Sequence, residues 1–341
     1  MSADPRPASG RHGLVRLSLA CGDYDRVRAL RERRVRPEGL DLVFLPLMPE
    51  EIFFRQAVHH EFDVSELSLA TYTSLRSRGD TSFIAIPVFP SRAFRHSGIF
   101  VRSDAGIAKP QDLRGKRVGL SEYQLTANVW IRGILEDEHG VRPSEIEWLT
   151  GGLEEAGRRE KIELPLPPDI RVRPIPDGKT LSAMLESGEL DAVIGPRIPS
   201  AFRRGAPGVR RLFPDYRTVE IDYFRRTSIF PIMHTVAIKR EVYERDRWIA
   251  QSLAKAFAQA KRLVEDTIYE TAASWTMIPW MHEEVEIVRS IAGADWWPYG
   301  IDPNRTTLET FMRYAVPQGV AARGLAVEEL FAPETLDTVK I

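Results

Sequence analysis

The chain contains a single cysteine, Cys21, among 341 residues. That excludes an intrachain disulfide and any cysteine-based metal cluster, and it fits a reducing compartment. Charge imbalance is missing as well. With 47 Lys and Arg against 48 Asp and Glu, there is no large-scale field to attract nucleic acid or a membrane surface. No stretch approaches the ~18 uninterrupted apolar residues that span a bilayer. Residues 1–13 are polar and hold no apolar run of signal-peptide length, so they read as a disordered lead-in. The glycines, Gly151-Gly152 included, make no GxGxxG or Walker pattern, which removes support for nucleotide binding. No HxH or HExxH spacing occurs either. These absences lead us to expect a soluble, cytoplasmic protein with a small-molecule partner and no nucleic-acid or membrane partner. Assembly into a homo-oligomer is left open.

The length exceeds the size at which one core usually stops growing, so two domains are expected. Short apolar runs at Val15–Ala20, Leu40–Leu45 and Phe62–Leu67 alternate with helical stretches from Asp23 to about Arg34 and from Pro49 to about His59. Such alternation predicts parallel strands with crossover helices. A polar linker around Lys109–Lys116 leads into a second set of strands, with a helix from about Gln124 to His139. From Thr235 onward the pattern turns to long helices, Trp248 to Ile268 above all. The expected organisation is an α/β, two-lobed Venus-flytrap fold. Lobe 1 takes residues 14–105 and 231–341, lobe 2 takes 106–230, and the ligand cleft lies between them. The C-terminal helices pack on lobe 1.

One segment concentrates charge after an apolar run. Ser91-Arg92-Ala93-Phe94-Arg95-His96 follows Phe83–Phe89, so two guanidiniums and an imidazole stand at the mouth of a buried strand, which reads as an anion site. A second imidazole, His234, interrupts another apolar stretch, Ile229 to Ile238. The remaining histidines, His12, His59, His60, His139 and His282, lie in polar surroundings and read as surface residues.

Four segments carry a resemblance: Phe62–Ser68, Ile86–Ser97, Thr126–Leu135 and Phe230–Thr235, with Asp295–Gly300 and Glu328–Phe331 in support. Over about Val15 to Phe331 the chain resembles the 4,5-dihydroxyphthalate decarboxylase family. The resemblance implies a type 2 periplasmic-binding-protein-like fold. It also implies a lyase of aromatic compound degradation, within phthalate catabolism, that converts 4,5-dihydroxyphthalate to protocatechuate (3,4-dihydroxybenzoate) and CO2. The alternatives are a solute-binding protein for an aromatic carboxylate and another aromatic-acid lyase on the same fold.

Chemistry assigns the expected roles. Direct loss of CO2 would leave an aryl carbanion, whereas protonating the ring first avoids it. Histidine suits proton transfer because both its states are populated near neutrality, so His234 and His96 are the catalytic candidates. Glu66 joins them, as a residue that orients a histidine or accepts a phenolic proton. Arginine suits a carboxylate clamp, which singles out Arg92, Arg95 and Arg132. Tyr123, Gln124 and Thr126 stand where a helix begins and free N–H groups favour an anion. The bland readings are interlobe ion pairs for the arginines, capping for the helix start, and packing for Trp296-Trp297. The expected reaction uses no cofactor, with a divalent metal as the open alternative.

Overall fold

Residues 13–336 are described in a computed structural model of the chain. The lead-in expected over 1–13 lies outside them apart from Gly13. The first lobe begins with β1 (Val15–Cys21), α1 (Asp25–Arg31), β2 (Leu40–Pro46), α2 (Pro49–His59), β3 (Val64–Ser68), α3 (Leu69–Ser77) and β4 (Phe83–Arg92). Pro49 suits the first turn of α2 because it has no N–H to leave unpaired. Glu50 and Glu51 follow it there, where the helix dipole favours negative charge.

The second lobe holds β5 (Ile99–Arg102), β6 (Arg117–Leu120), α4 (Thr126–His139), β7 (Glu147–Thr150) and β8 (Arg171–Pro174). It continues with α5 (Leu181–Ser187), β9 (Ala192–Ile194), α6 (Ser200–Arg203), β10 (Val209–Arg211) and α7 (Tyr216–Thr227). The chain then returns through β11 (Ile232–Lys239) to α8 (Arg240–Arg245), α9 (Trp248–Ile268), α10 (Met281–Ala292) and α11 (Arg305–Ala315).

Two sheets result, in the orders β2-β1-β3-β11-β4 and β10-β5-β9-β6-β7-β8. In the first, β1 runs parallel to β2 and β3, while β11 lies antiparallel between β3 and β4. Because β5 pairs with β9 and β10, the first passage between sheets falls at 93–98, ahead of the 105/106 boundary read from the sequence. Ile99, Phe100 and Val101 are all buried, which suits a strand inside the second sheet rather than a tail on the first.

Helix α9 packs on α1 and β4, on the first lobe as expected. The two helices after it reach further. Glu284 of α10 pairs with Arg217 of α7 at 2.7 Å, and α11 lies against α4, where Arg313 and Tyr314 both engage Asp137 at 2.5 Å. Gly133 makes that approach possible, since a Cβ there would sit 2.0 Å from the Tyr314 ring. One apolar cluster consequently runs through both lobes, from Phe53, Leu69 and Tyr72 to Val129, Trp130, Ile131 and Phe311.

Candidate active site

Strand register builds the centre of the site. On the antiparallel pair β3–β11, Glu66 stands opposite Val236 and His234 opposite Ser68. Glu66 and His234 are therefore diagonal neighbours, a separation that long side chains bridge. On the other side of β11 the register with β4 shifts on both sides of His234, the kind of irregularity that re-aims a side chain. His234 Nδ1 meets Glu66 Oε1 at 2.5 Å.

Glu66 is fully buried and collects several donors. The Gly22 N–H donates to Oε2 at 2.9 Å and the Tyr24 hydroxyl to Oε1 at 3.0 Å, with the Cys21 thiol 3.6 Å from Oε2. Burial pushes its carboxyl up, but His234 and these donors outweigh it and hold the group below its ordinary range. An ionised Glu66 must accept from Nδ1, so the imidazole proton lies there and Nε2 is the atom free to face a substrate. The same carboxylate pushes the Tyr24 hydroxyl and the Cys21 thiol up, in each case after burial itself. With every approach taken by protein donors, Glu66 orients the histidine. It is not placed to take a phenolic proton.

The other expected residues fare differently. His96 is 3% exposed, packed edge-on against Phe213 and Tyr223, with Nδ1 4.0 Å from Glu220 and no hydrogen-bond partner. Burial pushes its pKa down to about 4, so it stays neutral in the hinge, among contacts that His234 does not share. That placement corrects its expected role as a catalyst.

Arg92 donates to the carbonyls of Phe230 and Pro298 at 3.1 and 2.7 Å and to Asn304 Oδ1. Arg132 donates to Gln318 Oε1 and the Tyr123 carbonyl, each at 2.8 Å, and lies over the Tyr123 ring at 3.7 Å. Both are corrected from substrate clamps to internal braces: they are buried, 6% and 1% exposed, and the bonds they make go to neutral protein acceptors, three from Arg92 and two from Arg132, with Arg92 Nε and Arg132 Nη1 left without a partner. Arg95 is held by Met233, its Nε 3.1 Å from the sulfur, beside His234 in sequence.

Thr126 is spent too. Its Oγ1 accepts from the Ala70 N–H at 3.0 Å and meets Ser68 Oγ at 2.9 Å, so a hydroxyl from one lobe caps a helix of the other. That hydroxyl is thereby closed to a ligand, while the Tyr123 N–H ahead of α4 already donates to the Glu160 carboxylate. Tyr123 and Gln124 are each 1% exposed, and the Tyr123 hydroxyl and both Gln124 amide atoms have no hydrogen-bond partner.

A cavity of about 680 Å³ opens between the lobes. Its lining includes Glu50 and Phe54 of α2, Ser121 and Glu122 after β6, residues 152–161 after β7, and Arg197 after β9. These are the carboxyl ends of the second sheet's strands, where open α/β sheets bind ligands. His234 is not among the residues that line it; helix α2 touches both, lining the cavity with Glu50 and Phe54 and packing Phe53 on the His234 ring with centroids 4.7 Å apart.

The cavity's cations, Arg158, Arg159, Lys161 and Arg197, were not singled out from the sequence. Arg158 and Lys161 converge on Glu122 Oε1, at 2.6 and 2.8 Å. Burial first, then the charge of Glu122, push the Glu160 carboxyl up to about 7, against the Tyr123 N–H that it accepts. Among the described residues no group of three or more His, Cys, Asp or Glu side chains is arranged to hold a metal ion.

Two lobes with a charged cavity at their strand ends have the architecture of a solute-binding protein. A carboxylate-oriented imidazole adds the equipment of an acid–base enzyme. Comparison with known proteins resolves the class. The chain is 42% identical to a 4,5-dihydroxyphthalate decarboxylase of Comamonas testosteroni, over 96% of this chain and 99% of that one. It is 50% identical to one of Pseudomonas putida, over 63% of this chain and 83% of that one.

The chain belongs to the 4,5-dihydroxyphthalate decarboxylase family. A family model described as NMT1/THI5 like matches residues 94–157. Among solved structures, the periplasmic aliphatic sulphonate-binding protein SsuA of Escherichia coli superposes with a TM-score of 0.54 at 11% identity, covering 94% of this chain and 99% of that one. A periplasmic sulfonate-binding protein of Methylobacillus flagellatus gives 0.54 at 13%, covering 95% and 93%. These two likenesses establish the fold, the periplasmic-binding-protein-like scaffold expected from the sequence.

Proposed function

We propose that the protein is a carboxy-lyase that converts 4,5-dihydroxyphthalate to 3,4-dihydroxybenzoate and CO2 by protonating the ring, with no cofactor. Two relatives of that name, one of them over nearly the whole chain, support the reaction, and the Glu66–His234 pair at 2.5 Å supports the route. Protonated His234 gives its Nε2 proton to the ring carbon that bears the departing carboxylate. The hydroxyl para to that carbon shares its lone pair with the cationic ring. The carbon–carbon bond then breaks, its electron pair restores aromaticity, and CO2 leaves. Solvent returns a proton to Nε2, so one proton is consumed for each carboxylate released as CO2.

Glu66 keeps Nδ1–H pointed inward throughout and offsets the positive charge of the imidazolium form. Tyr24 and the Gly22 N–H fix the carboxylate in turn. The same reading places the protein in the cytoplasm. Among the described residues, no helix is long and apolar enough to cross a membrane.

The test is turnover of 4,5-dihydroxyphthalate by metal-stripped protein in D2O, followed by NMR. The expected product is 3,4-dihydroxybenzoate with one deuterium at the vacated carbon. Absence of product both before and after divalent metal is added back would overturn the reaction, and activity only after readdition would overturn the cofactor-free route.

A further inference from the structure

The proposed substrate carries two adjacent carboxylates, while Arg92 and Arg132 are buried on protein acceptors. The inter-lobe cavity supplies a slot shaped for one carboxylate. Glu50 reaches into it from α2, its Oε1 3.3 Å from Arg158 Nη1 and its Oε2 3.1 Å from Arg197 Nη2. Each oxygen thus meets a different guanidinium, as one ring carboxylate would.

The two acids that Arg158 touches are held very differently. Glu122 is 1% exposed, and three donors from Arg158 and Lys161 fix its Oε1 at 2.6 to 2.9 Å. Glu50 belongs to the opposite lobe, its side chain is 35% exposed, and its two contacts are the longer ones. An ion pair of that exposure holds weakly, so a dianionic ligand can displace it. Glu122 would stay behind and keep the Arg158 fork in place. Arg159, on the same wall, is exposed and has no ion-pair or hydrogen-bond partner among the described residues, so it is available to a second carboxylate.

We propose that Arg158 and Arg197 bind one carboxylate of a vicinal aromatic dicarboxylate, and that Glu50 holds this slot in the empty protein and competes for it. This rests on the function proposed above and adds its specificity. A dianion overcomes Glu50 because it engages Arg159 as well. The product has lost one carboxylate, competes less well, and is expelled as Glu50 returns. The device favours dicarboxylates on the way in and speeds release on the way out.

Equilibrium titration with phthalate tests this apart from catalysis, because phthalate has both carboxylates but no hydroxyl to assist decarboxylation. Benzoate serves as the single-carboxylate control. In Arg158→Gln and Arg197→Gln, phthalate affinity should fall roughly 10-fold or more, as befits loss of a charge-assisted hydrogen bond, with benzoate much less affected. Glu50→Gln should bind phthalate and 3,4-dihydroxybenzoate more tightly than the parent does.

Arg197 has a side chain 57% exposed, so its variant keeps the test valid even where Arg158→Gln disturbs folding by unpairing Glu122. Three results would overturn the proposal: no phthalate binding by the parent, unchanged phthalate affinity in Arg197→Gln, or weaker binding in Glu50→Gln. Arginine-dependent phthalate binding without turnover of 4,5-dihydroxyphthalate would uphold the slot and remove the reaction. Turnover without arginine-dependent binding would do the reverse.

Discussion

The two lobes meet along two flanks that are built from opposite materials. On the α4 flank the contact is dry. Trp130 is fully buried, donates to the Ile232 carbonyl at 3.0 Å and packs on Phe311 and Tyr314, while Arg132 is locked to Gln318. On the α2 flank the contact is ionic and hollow, with Glu50 spanning to Arg158 and Arg197 across the cavity. A large apolar interface resists rigid-body opening, whereas exposed ion pairs exchange easily. On the function and slot proposed above, ligand access falls to side chains and to the loop at 153–161 on the ionic flank, and the apolar flank, through Trp130 on Ile232, serves as the backstop for β11 and His234.

The largest expected effect lies at the junction of the flanks. His234→Ala should lower kcat by roughly 10²–10⁴-fold, the usual range for a general acid, while phthalate affinity, governed by the cavity, changes little. Parallel losses in kcat and phthalate binding would break the division between chemistry and grip. Glu66→Gln should cost no more than that, up to roughly 10⁴-fold in kcat, because an amide in its place favours the wrong imidazole tautomer. A Glu66→Gln enzyme as active as the parent would remove the carboxylate from the mechanism.

The dry flank is probed by Gly133→Ala. With a Cβ 2.0 Å from the Tyr314 ring, either α4 or α11 must shift, and overpacking of this kind costs about 1–3 kcal/mol. Urea denaturation should show the loss as a lower midpoint within a single transition, since both lobes share one core. Two separate transitions in the parent would contradict the fixed backstop.

How far the sequence revealed this arrangement depends on the range of the interaction. Helices α2 and α9 lie where their apolar period and the Pro49 start placed them, because those signals are local. Glu66 and His234 were each recognisable as polar residues inside apolar strands, but 168 residues separate them and only the β3–β11 register joins them. Arg92 and Arg132 were singled out by residue type. Their neutral partners, Asn304 and Gln318, lie 212 and 186 residues away, so nothing local marked them as braces. Arg158, Lys161 and Arg197 were missed for the opposite reason, since they lie in connecting segments outside any strand or helix. Their one usable signal was position, just past strands β7 and β9, where a sheet of this kind presents its ligand-facing end.

The smallest predicted effect separates His96 from His234 by what each does with a proton. His96 has a folded pKa of about 4, set first by burial, then by the nearby His139 charge, with Glu138 opposing. An unfolded histidine titrates near 6.5. Between those values the unfolded chain binds the proton and the folded one does not, so stability is intact above about pH 6.5 and falls as the solution is acidified. Going from pH 7 to 5.5 this single group should remove about 1 kcal/mol. Glu220 and His139 also titrate in this hinge, Glu220 pushed up and His139 pushed down by burial, so the informative quantity is the difference between the parent and His96→Gln. The variant should lose less stability across that interval, with kcat at neutral pH close to the parent's. A His96→Gln enzyme with normal stability but no turnover would return His96 to the chemistry and erase the distinction between the two imidazoles.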